Sequence, residues 1–264
     1  MSFRVNVDLA NPGQVLACCG LFELAHRFTK GGAGARFEFG RHSSFHVEAD
    51  CMLGELLEAL SSAKLQQLDE SDETQSPLCL TEPFSLRLDW WRDELAGGGE
   101  LKTWAGGTMD STRIERSMLA WMGERLRSDP DGFLASLFDV GAVVPDADNP
   151  KKKVEPFYFD ARRSGSSHSR DVGFSPNDLK ASSIAHPAVE ALCLIGLQRF
   201  RPATTDQPRV FDYWCWSTEL PIEIAPAAFA GELSTAHAQH CRFECWFRTG
   251  QRKHKAFRPA ALIP

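Results

Sequence analysis

The sequence lacks the long apolar runs typical of membrane proteins and the paired cysteines typical of metal-binding proteins. No segment reaches the roughly 18 apolar residues of a membrane-spanning helix, and no signal peptide is evident at the N-terminus. The eight cysteines include no Cys-x-x-Cys pair, which favours reduced thiols in the core. We therefore expect a cytoplasmic protein without membrane contact.

Enzyme motifs are also missing. There is no Gly-x-Ser-x-Gly elbow, and the glycine clusters lack the lysine of a phosphate-binding loop. His237 and His240 have no neighbouring glutamate base, and His42 and His46, which could meet across a hairpin, are more typical of surface or core residues. We predict no enzymatic activity, no cofactor and no metal; a hydrolase with an unrecognised His/Asp site is a minor alternative.

What is present is an ordinary globular composition with an uneven distribution of charge. The 264 residues are 43% hydrophobic and 24% charged, with a net charge of −6. Residues 1–150 contain 13 Lys/Arg and 24 Asp/Glu, whereas residues 151–264 contain 16 and 11. The net charge argues against a simple basic nucleic-acid binder. The asymmetry suggests either a nucleic-acid-facing surface on the basic part or an ordinary solvated surface.

Hydrophobic periodicity predicts helices and strands without a regular βαβ alternation. This pattern favours an α+β fold: a mixed antiparallel sheet with packed helices, in a single intertwined domain over residues 1–264 that divides at most into an acidic part, 1–150, and a basic part, 151–264. Helices are predicted over residues 51–65, 112–126, 131–138 and 187–197. Strands are predicted over residues 84–90, 154–159, 210–216 and 241–247, with a hairpin over 37–47.

The N-terminal segment has the clearest local signals. Alternating apolar residues over 3–7 predict a strand. Asn11 suits a helix N-cap, and Gln14 three residues later completes a capping-box pattern. The apolar spacing over residues 15–25 then predicts a helix with one buried face, which ends at the glycines after Lys30.

The first candidate contact with nucleic acid is the run Lys151, Lys152 and Lys153 in a loop predicted over 145–153. Adjacent ammonium groups can hold a phosphate backbone as point charges. The alternative is a solvated lysine run.

A second candidate is the loop that follows residue 160. Arg162, Arg163 and Arg170 carry forked donors that suit phosphates or base edges. Ser164 and the small residues after it would allow close approach of the backbone. The alternative is a flexible surface loop.

Two further basic segments complete the candidates. Lys102 and Thr103 could contact phosphate while Trp104 stacks on a base, unless this tryptophan is anchored in the core. The hairpin tip near residue 250 would contribute to binding of RNA or DNA through three cations, although lysines also protect exposed edge strands. These cations are Arg252, Lys253 and Lys255.

Five phrases of the sequence resemble one protein family. They are Asn-Pro-Gly-Gln at residues 11–14, Ala-Cys-Cys-Gly-Leu-Phe-Glu-Leu at 17–24, Leu-Lys-Thr-Trp-Ala-Gly at 101–106, Phe-Asp-Ala-Arg-Arg-Ser at 159–164 and Asp-Val-Gly-Phe-Ser-Pro at 171–176. Together they resemble the small, subtype-specific large-subunit-like family of the CRISPR type I-G (formerly I-U) Cascade complex. The Ser/His-rich stretch before residue 171 is less typical of that family.

The resemblance implies a non-enzymatic, nucleic-acid-binding subunit in antiviral defence. Such a subunit would contact guide RNA and target DNA, help to recognise the short motif that flanks the target (PAM recognition), and stabilise the R-loop. Its protein partners would be the backbone and guide-processing subunits and the helicase-nuclease. A protein-interaction scaffold without direct nucleic-acid contact is the alternative.

Overall fold

The computed structural model describes residues 1–68, 78–88, 110–162, 184–248 and 253–264. These ranges contain helices and antiparallel strands, which confirms the predicted α+β class. The helices are α1 (Pro12–Phe28), α2 (Leu53–Ser62), α3 (Ser111–Ser128), α4 (Pro130–Ala135), α5 (Pro187–Gly196) and α6 (Ala225–Phe229). The strands are β1 (Ser2–Asn6), β2 (Gly34–Glu38), β3 (Ser44–Glu48), β4 (Leu65–Gln67), β5 (Leu78–Leu80), β6 (Leu86–Leu88), β7 (Ala203–Thr204), β8 (Val210–Cys215), β9 (Leu220–Pro221), β10 (Gln239–Arg248), β11 (Lys253–Phe257) and β12 (Ala261–Ile263). No helix in the described ranges is long and apolar enough to cross a membrane.

The first sheet has the order β1-β3-β2-β9, and all of its pairs are antiparallel. Its strands alternate between the core and the outer surface, so Phe3 and Val5 are buried whereas Arg4 is exposed. Strands β2 and β3 confirm the predicted hairpin. The outer face of β1, β2 and β3 carries no Phe, Tyr or Trp; its planar side chains are Arg4, Arg36 and His46.

Helix α1 begins at the predicted cap, but the capping box is only half formed. The Asn11 side chain accepts a hydrogen bond from the Gln14 amide at 3.4 Å. Gln14 does not return a bond to Asn11, because its Oε1 accepts from the amide of Asp8 at 2.8 Å. Burial also extends beyond the single predicted face: every residue from Pro12 to Ala25 is buried, since α1 is a central element of the core.

Helices α1 and α5 cross with their backbones in contact. A Cβ atom on Gly20 would lie 2.1 Å from the Leu192 carbonyl oxygen. A Cβ atom on Gly196 would lie 2.0 Å from the Leu16 carbonyl oxygen. No larger residue fits either position without separation of the helices. The crossing packs the N-terminal helix α1 against α5, which lies within the basic part of the chain, residues 151–264.

The second sheet has the order β11-β10-β8-β7, with β12 also paired to β10, and β4-β5-β6 forms a third. Trp216 connects the first two sheets. Its Nε1 donates to the Ala35 carbonyl at 2.8 Å, and its own carbonyl accepts from the Phe37 amide at 2.8 Å. Its ring stacks on Phe200 with a centroid separation of 6.0 Å. These contacts place both sheets around one continuous core.

Two strand predictions differ from the structure. The strand predicted over 154–159 is wrong, because Pro156 has no amide to donate and Tyr158 adopts a left-handed φ of +65°. The strand predicted to begin at Phe84 is shorter: β6 begins at Leu86, since Ser85 has a φ of +46°. Residues 89–90 of that prediction lie outside the described ranges.

The other helix and strand predictions agree closely with the structure. Helix α3 begins after Asp110, whose carboxylate accepts from the Arg113 amide at 2.9 Å. Helices α2, α4 and α5 and strands β8 and β10 overlap the predicted segments. All eight cysteines are free thiols and all but Cys79 are buried, as expected for reduced core residues.

Candidate nucleic-acid interface

Three of the predicted basic residues line an open cleft of about 700 Å³. Lys151, Lys152 and Lys153 share this cleft with Arg113 of α3, and because of these four cations we call it the basic cleft. Val143, Pro145 and Pro150 form its apolar part. Arg113 was not predicted from the sequence, because nothing in the chain marks its proximity to residues almost forty positions later.

The loop that carries the lysines is anchored rather than free. The Asp146 amide donates to the Lys152 carbonyl at 3.0 Å, which closes the loop over residues 146–152. The Ser117 hydroxyl of α3 accepts from the Ala147 amide at 3.1 Å, and Arg113 Nε donates to Asp146 Oδ2 at 2.7 Å. These bonds hold the lysine backbone at a defined position on α3.

The acidic side chains of this loop are already occupied by arginines of α3. Burial raises the pKa of Asp146, but hydrogen bonds from the Asp148 amide and from Arg113 outweigh it and lower the pKa below its ordinary value. Arg116 donates to Asp148 at 3.2 Å. Since the arginines neutralise the two carboxylates, the charge of the loop comes from its lysines.

The lysines themselves face solvent. Lys151 and Lys152 are exposed and form no ion pair within the part of the chain that the structure describes. Lys153 is less exposed. Two ammonium groups of the basic cleft are thus available to an anionic ligand.

Arg162, the only residue of the predicted arginine loop within the described ranges, is placed differently. Its guanidinium forms a forked pair with Asp160, with Nε at 3.0 Å from Oδ1 and Nη2 at 2.6 Å from Oδ2. Nη2 also donates to the Phe138 carbonyl at 2.5 Å, and Nη1 lies 3.3 Å from Asp139 Oδ1. Most of its donors therefore serve the protein itself.

Asp160 is the centre of this buried network. Its side chain is fully buried and accepts from Asn11 Nδ2 at 2.9 Å. His186 Nδ1 lies 3.1 Å from its Oδ2. Burial raises the pKa of Asp160, but Arg162 and then His186 outweigh it and hold the pKa below its ordinary value. The carboxylate is thus ionised and fully engaged.

The same network joins two phrases that lie about 150 residues apart. Asn11 Oδ1 accepts from the Ala161 amide at 3.1 Å, in addition to its bond to Asp160. A Cβ atom on Gly13 would lie 2.3 Å from the Phe159 carbonyl oxygen. The Asn-Pro-Gly-Gln phrase and the Phe-Asp-Ala-Arg phrase are therefore parts of one packed structural unit.

Two buried glutamates lie beneath this unit. Glu190 of α5 accepts from the amides of Phe159 and Asp160, each at 3.2 Å. Glu115 of α3 is fully buried, and neither of its carboxylate oxygens has a hydrogen-bond partner in the described ranges. Burial and, secondarily, the charge of Glu190 raise the pKa of Glu115 well above its ordinary value. The helical pattern of α3 gave no sign of this buried acid.

A second open cavity, of about 550 Å³, lies beside Arg162. The loop between β2 and β3 contributes Arg41 and His42, and Asp8 and Asp139 also line it. Because cations and carboxylates both face this cavity, it has no strong preference for an anion. The basic cleft is the better candidate for phosphate.

Two of the remaining predicted contacts fall within the described ranges. Lys253 and Lys255 lie on β11, which pairs with β10. The other predicted contacts lie outside the described ranges: Lys102, Thr103, Trp104, Arg163, Ser164, Arg170 and Arg252. They stay predictions. Within the described ranges no group of three or more His, Cys, Asp or Glu residues has the arrangement of a metal site.

Comparisons with known proteins assign no family to this chain. No protein-family model matches it, and neither a curated protein nor a solved structure matches it. Its candidate interface therefore has to be interpreted from its own geometry.

Proposed function

We propose that this chain is a non-enzymatic, nucleic-acid-binding subunit of a CRISPR type I-G effector complex. In that role it would aid recognition of the motif flanking the target, stabilise the R-loop and contribute to recruitment of a helicase-nuclease. The observation that carries the nucleic-acid part is the basic cleft, where Lys151 and Lys152 are exposed on an anchored loop and form no ion pair with any residue that the structure describes. The family part depends on the resemblance of the five phrases.

The basic cleft suits a phosphate backbone for three reasons. The lysines are adjacent in the chain, so their charges act on neighbouring phosphates. The loop is bonded to α3 through Asp146 and Ala147, so little backbone entropy is lost on binding. The carboxylates at Asp146 and Asp148 are paired with arginines, which limits their repulsion of a polyanion.

The buried network around Asp160 gives a structural reason for two of the five phrases. Two of the five phrases contact each other through Asn11, Gly13 and Asp160. Such contacts are a reason for these residue types at those positions that is independent of ligand binding. They also agree with a structural role for the N-terminal phrase, whereas the exposed lysines are suited to recognition.

Fluorescence anisotropy with labelled single-stranded and duplex DNA and single-stranded RNA tests the cleft across about 50–300 mM salt. The variant is the double substitution Lys151→Gln and Lys152→Gln. If both lysines contact phosphate, the slope of log affinity against log salt should fall by about 1.4 for a single strand or 1.8 for a duplex. At 0.1 M salt this corresponds to about a 25- to 60-fold loss of affinity.

The matched control is Lys30→Gln with Lys64→Gln, which removes two charges from exposed positions outside the cleft. An equal effect of both pairs would mean that only net charge matters, and would contradict a site at the cleft. Wild-type protein that binds the other Cascade subunits but no nucleic acid would instead favour the scaffold role. Co-purification with guide RNA and the neighbouring subunits tests the family assignment separately.

A further inference from the structure

The second sheet has an outer surface rich in planar side chains. On β8 and β10 the inward residues are buried apolar groups, while the alternate residues lie on the opposite face. Trp214 is opposite His240 in the strand register, and their rings stack at 4.2 Å with an interplanar angle of 8°. Arg242 and Trp246 follow on the same face of β10. We call this surface, with Arg258 beyond β11, the stacking face.

The arginine in the middle of the stacking face forms a bidentate ion pair with an aspartate on the neighbouring strand. Arg242 is opposite Asp212 in the register. Its Nε and Nη2 donate to the two carboxylate oxygens of Asp212 at 2.7 and 2.8 Å. His240 Nε2 also lies 3.0 Å from Asp212. This pair fixes the orientation of the guanidinium while leaving its side chain 38% exposed.

At the far end of the stacking face a second arginine is held by a carboxylate and also lies over an aromatic ring. The Arg258 guanidinium lies over the Trp246 ring, 4.9 Å from its centroid. Arg258 Nη1 donates to Glu244 at 2.8 Å, and its amide donates to the Glu244 carbonyl at 3.0 Å. The indole is partly exposed and the Arg258 side chain is 46% exposed. His240 and Trp246 are about 20 Å apart along the strand at 3.4 Å per residue.

We propose that the stacking face binds the unpaired bases of a single-stranded nucleic acid. Bases stack on tryptophan rings and on the planes of arginine guanidinium groups. The carboxylates of Asp212 and Glu244 offset the charges of Arg242 and Arg258, so this surface suits base planes better than phosphates. The proposal rests on the proposed function, and it assigns that function a second contact with a different chemistry.

The segment next to this face favours a polyanionic ligand over a neutral one such as a sugar. Strand β10 continues directly from Trp246 into the hairpin with β11. Residues 248–255 contain four Lys/Arg and no Asp or Glu. A cationic composition so close in sequence to Trp246 favours a polyanionic ligand.

The test is anisotropy with three labelled ligands of equal length: a single strand of DNA, a single strand of RNA, and a DNA strand of abasic sites. Trp246→Thr keeps a good strand former at this position and should weaken binding of the base-containing strands by about 5- to 150-fold. The slope against salt should not change, and binding of the abasic strand should equal that of the wild type. A preference between DNA and RNA identifies which strand the face holds.

Arg258→Gln is the second variant, since this exposed residue can be changed with little effect on folding, and it should weaken the same ligands. Arg125→Gln is the matched control, because Arg125 also lies over a tryptophan, Trp121, at 6.0 Å but outside this sheet. Thermal unfolding of each variant identifies loss of fold. Trp246→Phe, which keeps an aromatic ring, should recover part of the affinity that Trp246→Thr loses.

Unchanged binding by both Trp246→Thr and Arg258→Gln, or an equal loss for the abasic strand, would overturn the proposal. If the Lys151 and Lys152 variant binds normally while Trp246→Thr does not, the basic cleft is wrong and the stacking face stands. The reverse pattern refutes the stacking face alone. A wild-type chain that binds none of the three ligands refutes both.

Discussion

Removal of the Arg162 side chain tests whether this residue stabilises the fold. Arg162→Ala takes away the forked partner of Asp160, a carboxylate whose side chain is fully buried. Loss of one partner from a buried pair costs about 3–5 kcal/mol. Because Arg162 is 34% exposed, solvent screens part of this interaction, and we expect a loss of about 2–3 kcal/mol. Asn11 and His186 remain beside the carboxylate and limit the damage.

The predicted pH dependence separates this mechanism from a general packing defect. The pKa of Asp160 is held below its ordinary value. The ion pair of Asp160 therefore stabilises the protein fully when the pH is above the ordinary pKa of an aspartate. This stabilisation is lost as the pH falls through the lowered pKa. In Arg162→Ala burial is less opposed, so the pKa of Asp160 should rise. The difference between variant and wild type should be full near pH 7 and already smaller at about pH 4, because Asp160 of the variant takes up its proton at a higher pH than Asp160 of the wild type.

Urea unfolding followed by circular dichroism measures both effects. With a slope of about 3 kcal/mol per molar urea, the midpoint at pH 7 should fall by about 0.7–1 M. Arg116→Ala is the matched control, since its partner Asp148 is 63% exposed, and it should cost less than about 1 kcal/mol. Equal stability of Arg162→Ala and wild type at pH 7, or an equal deficit at pH 7 and pH 4, would refute this reasoning.

This result also affects the design of binding experiments. The sequence alone suggests a double alanine variant at Arg162 and Arg163 as a test of nucleic-acid contact. The structure shows that the first of these changes removes a partner from a buried acid. A loss of binding by the double variant would therefore mix a folding defect with any lost contact.

Three further predictions concern the core. Gly196→Ala places a methyl group 2.0 Å from the Leu16 carbonyl and should cost about 3 kcal/mol or more, which thermal unfolding or loss of soluble protein would reveal; a normal melting temperature would contradict the close helix crossing. Glu115→Gln should stabilise the protein by about 1–3 kcal/mol at pH 8, because the stability of the wild type falls as the pH rises through the raised pKa of Glu115. Urea unfolding at pH 5 and pH 8 should show that the stability of the variant depends less on pH than the stability of the wild type does. In the native protein only Cys79 should react rapidly with Ellman's reagent, and fast reaction of several thiols would contradict the buried positions of the others.

Helices and strands were predicted well where the residues of one segment are enough to specify them. Helix α3 covers the whole of the helix predicted over 112–126, and the alternating residues of β8 and β10 follow the two-residue period of a strand. The strand predicted over 154–159 failed because Tyr158 adopts a left-handed conformation that apolar periodicity does not encode. The half-formed capping box has a similar cause, since Gln14 has a competing donor in the Asp8 amide.

The candidate interfaces required contacts that no linear pattern contains. The lysines of the basic cleft were visible in the sequence, but Arg113 was not, because it reaches them only through the packing of α3 on the loop. The stacking face was likewise missed. Arg242 and Trp246 alternate with buried residues in a way that the sequence shows, but their neighbours Asp212 and Arg258 come from other segments.

The sequence by itself determined the α+β class, most helix and strand positions, the reduced thiols and the basic character of residues 151–153. These properties depend on residues close together in the chain, so composition and periodicity encode them. Only the tertiary structure decided that Asn11 and Arg162 meet at the buried Asp160, which gives Arg162 a structural partner. Burial and charge pairing depend on which distant segments come into contact, as the close approach of α1 and α5 at Gly20 and Gly196 also illustrates.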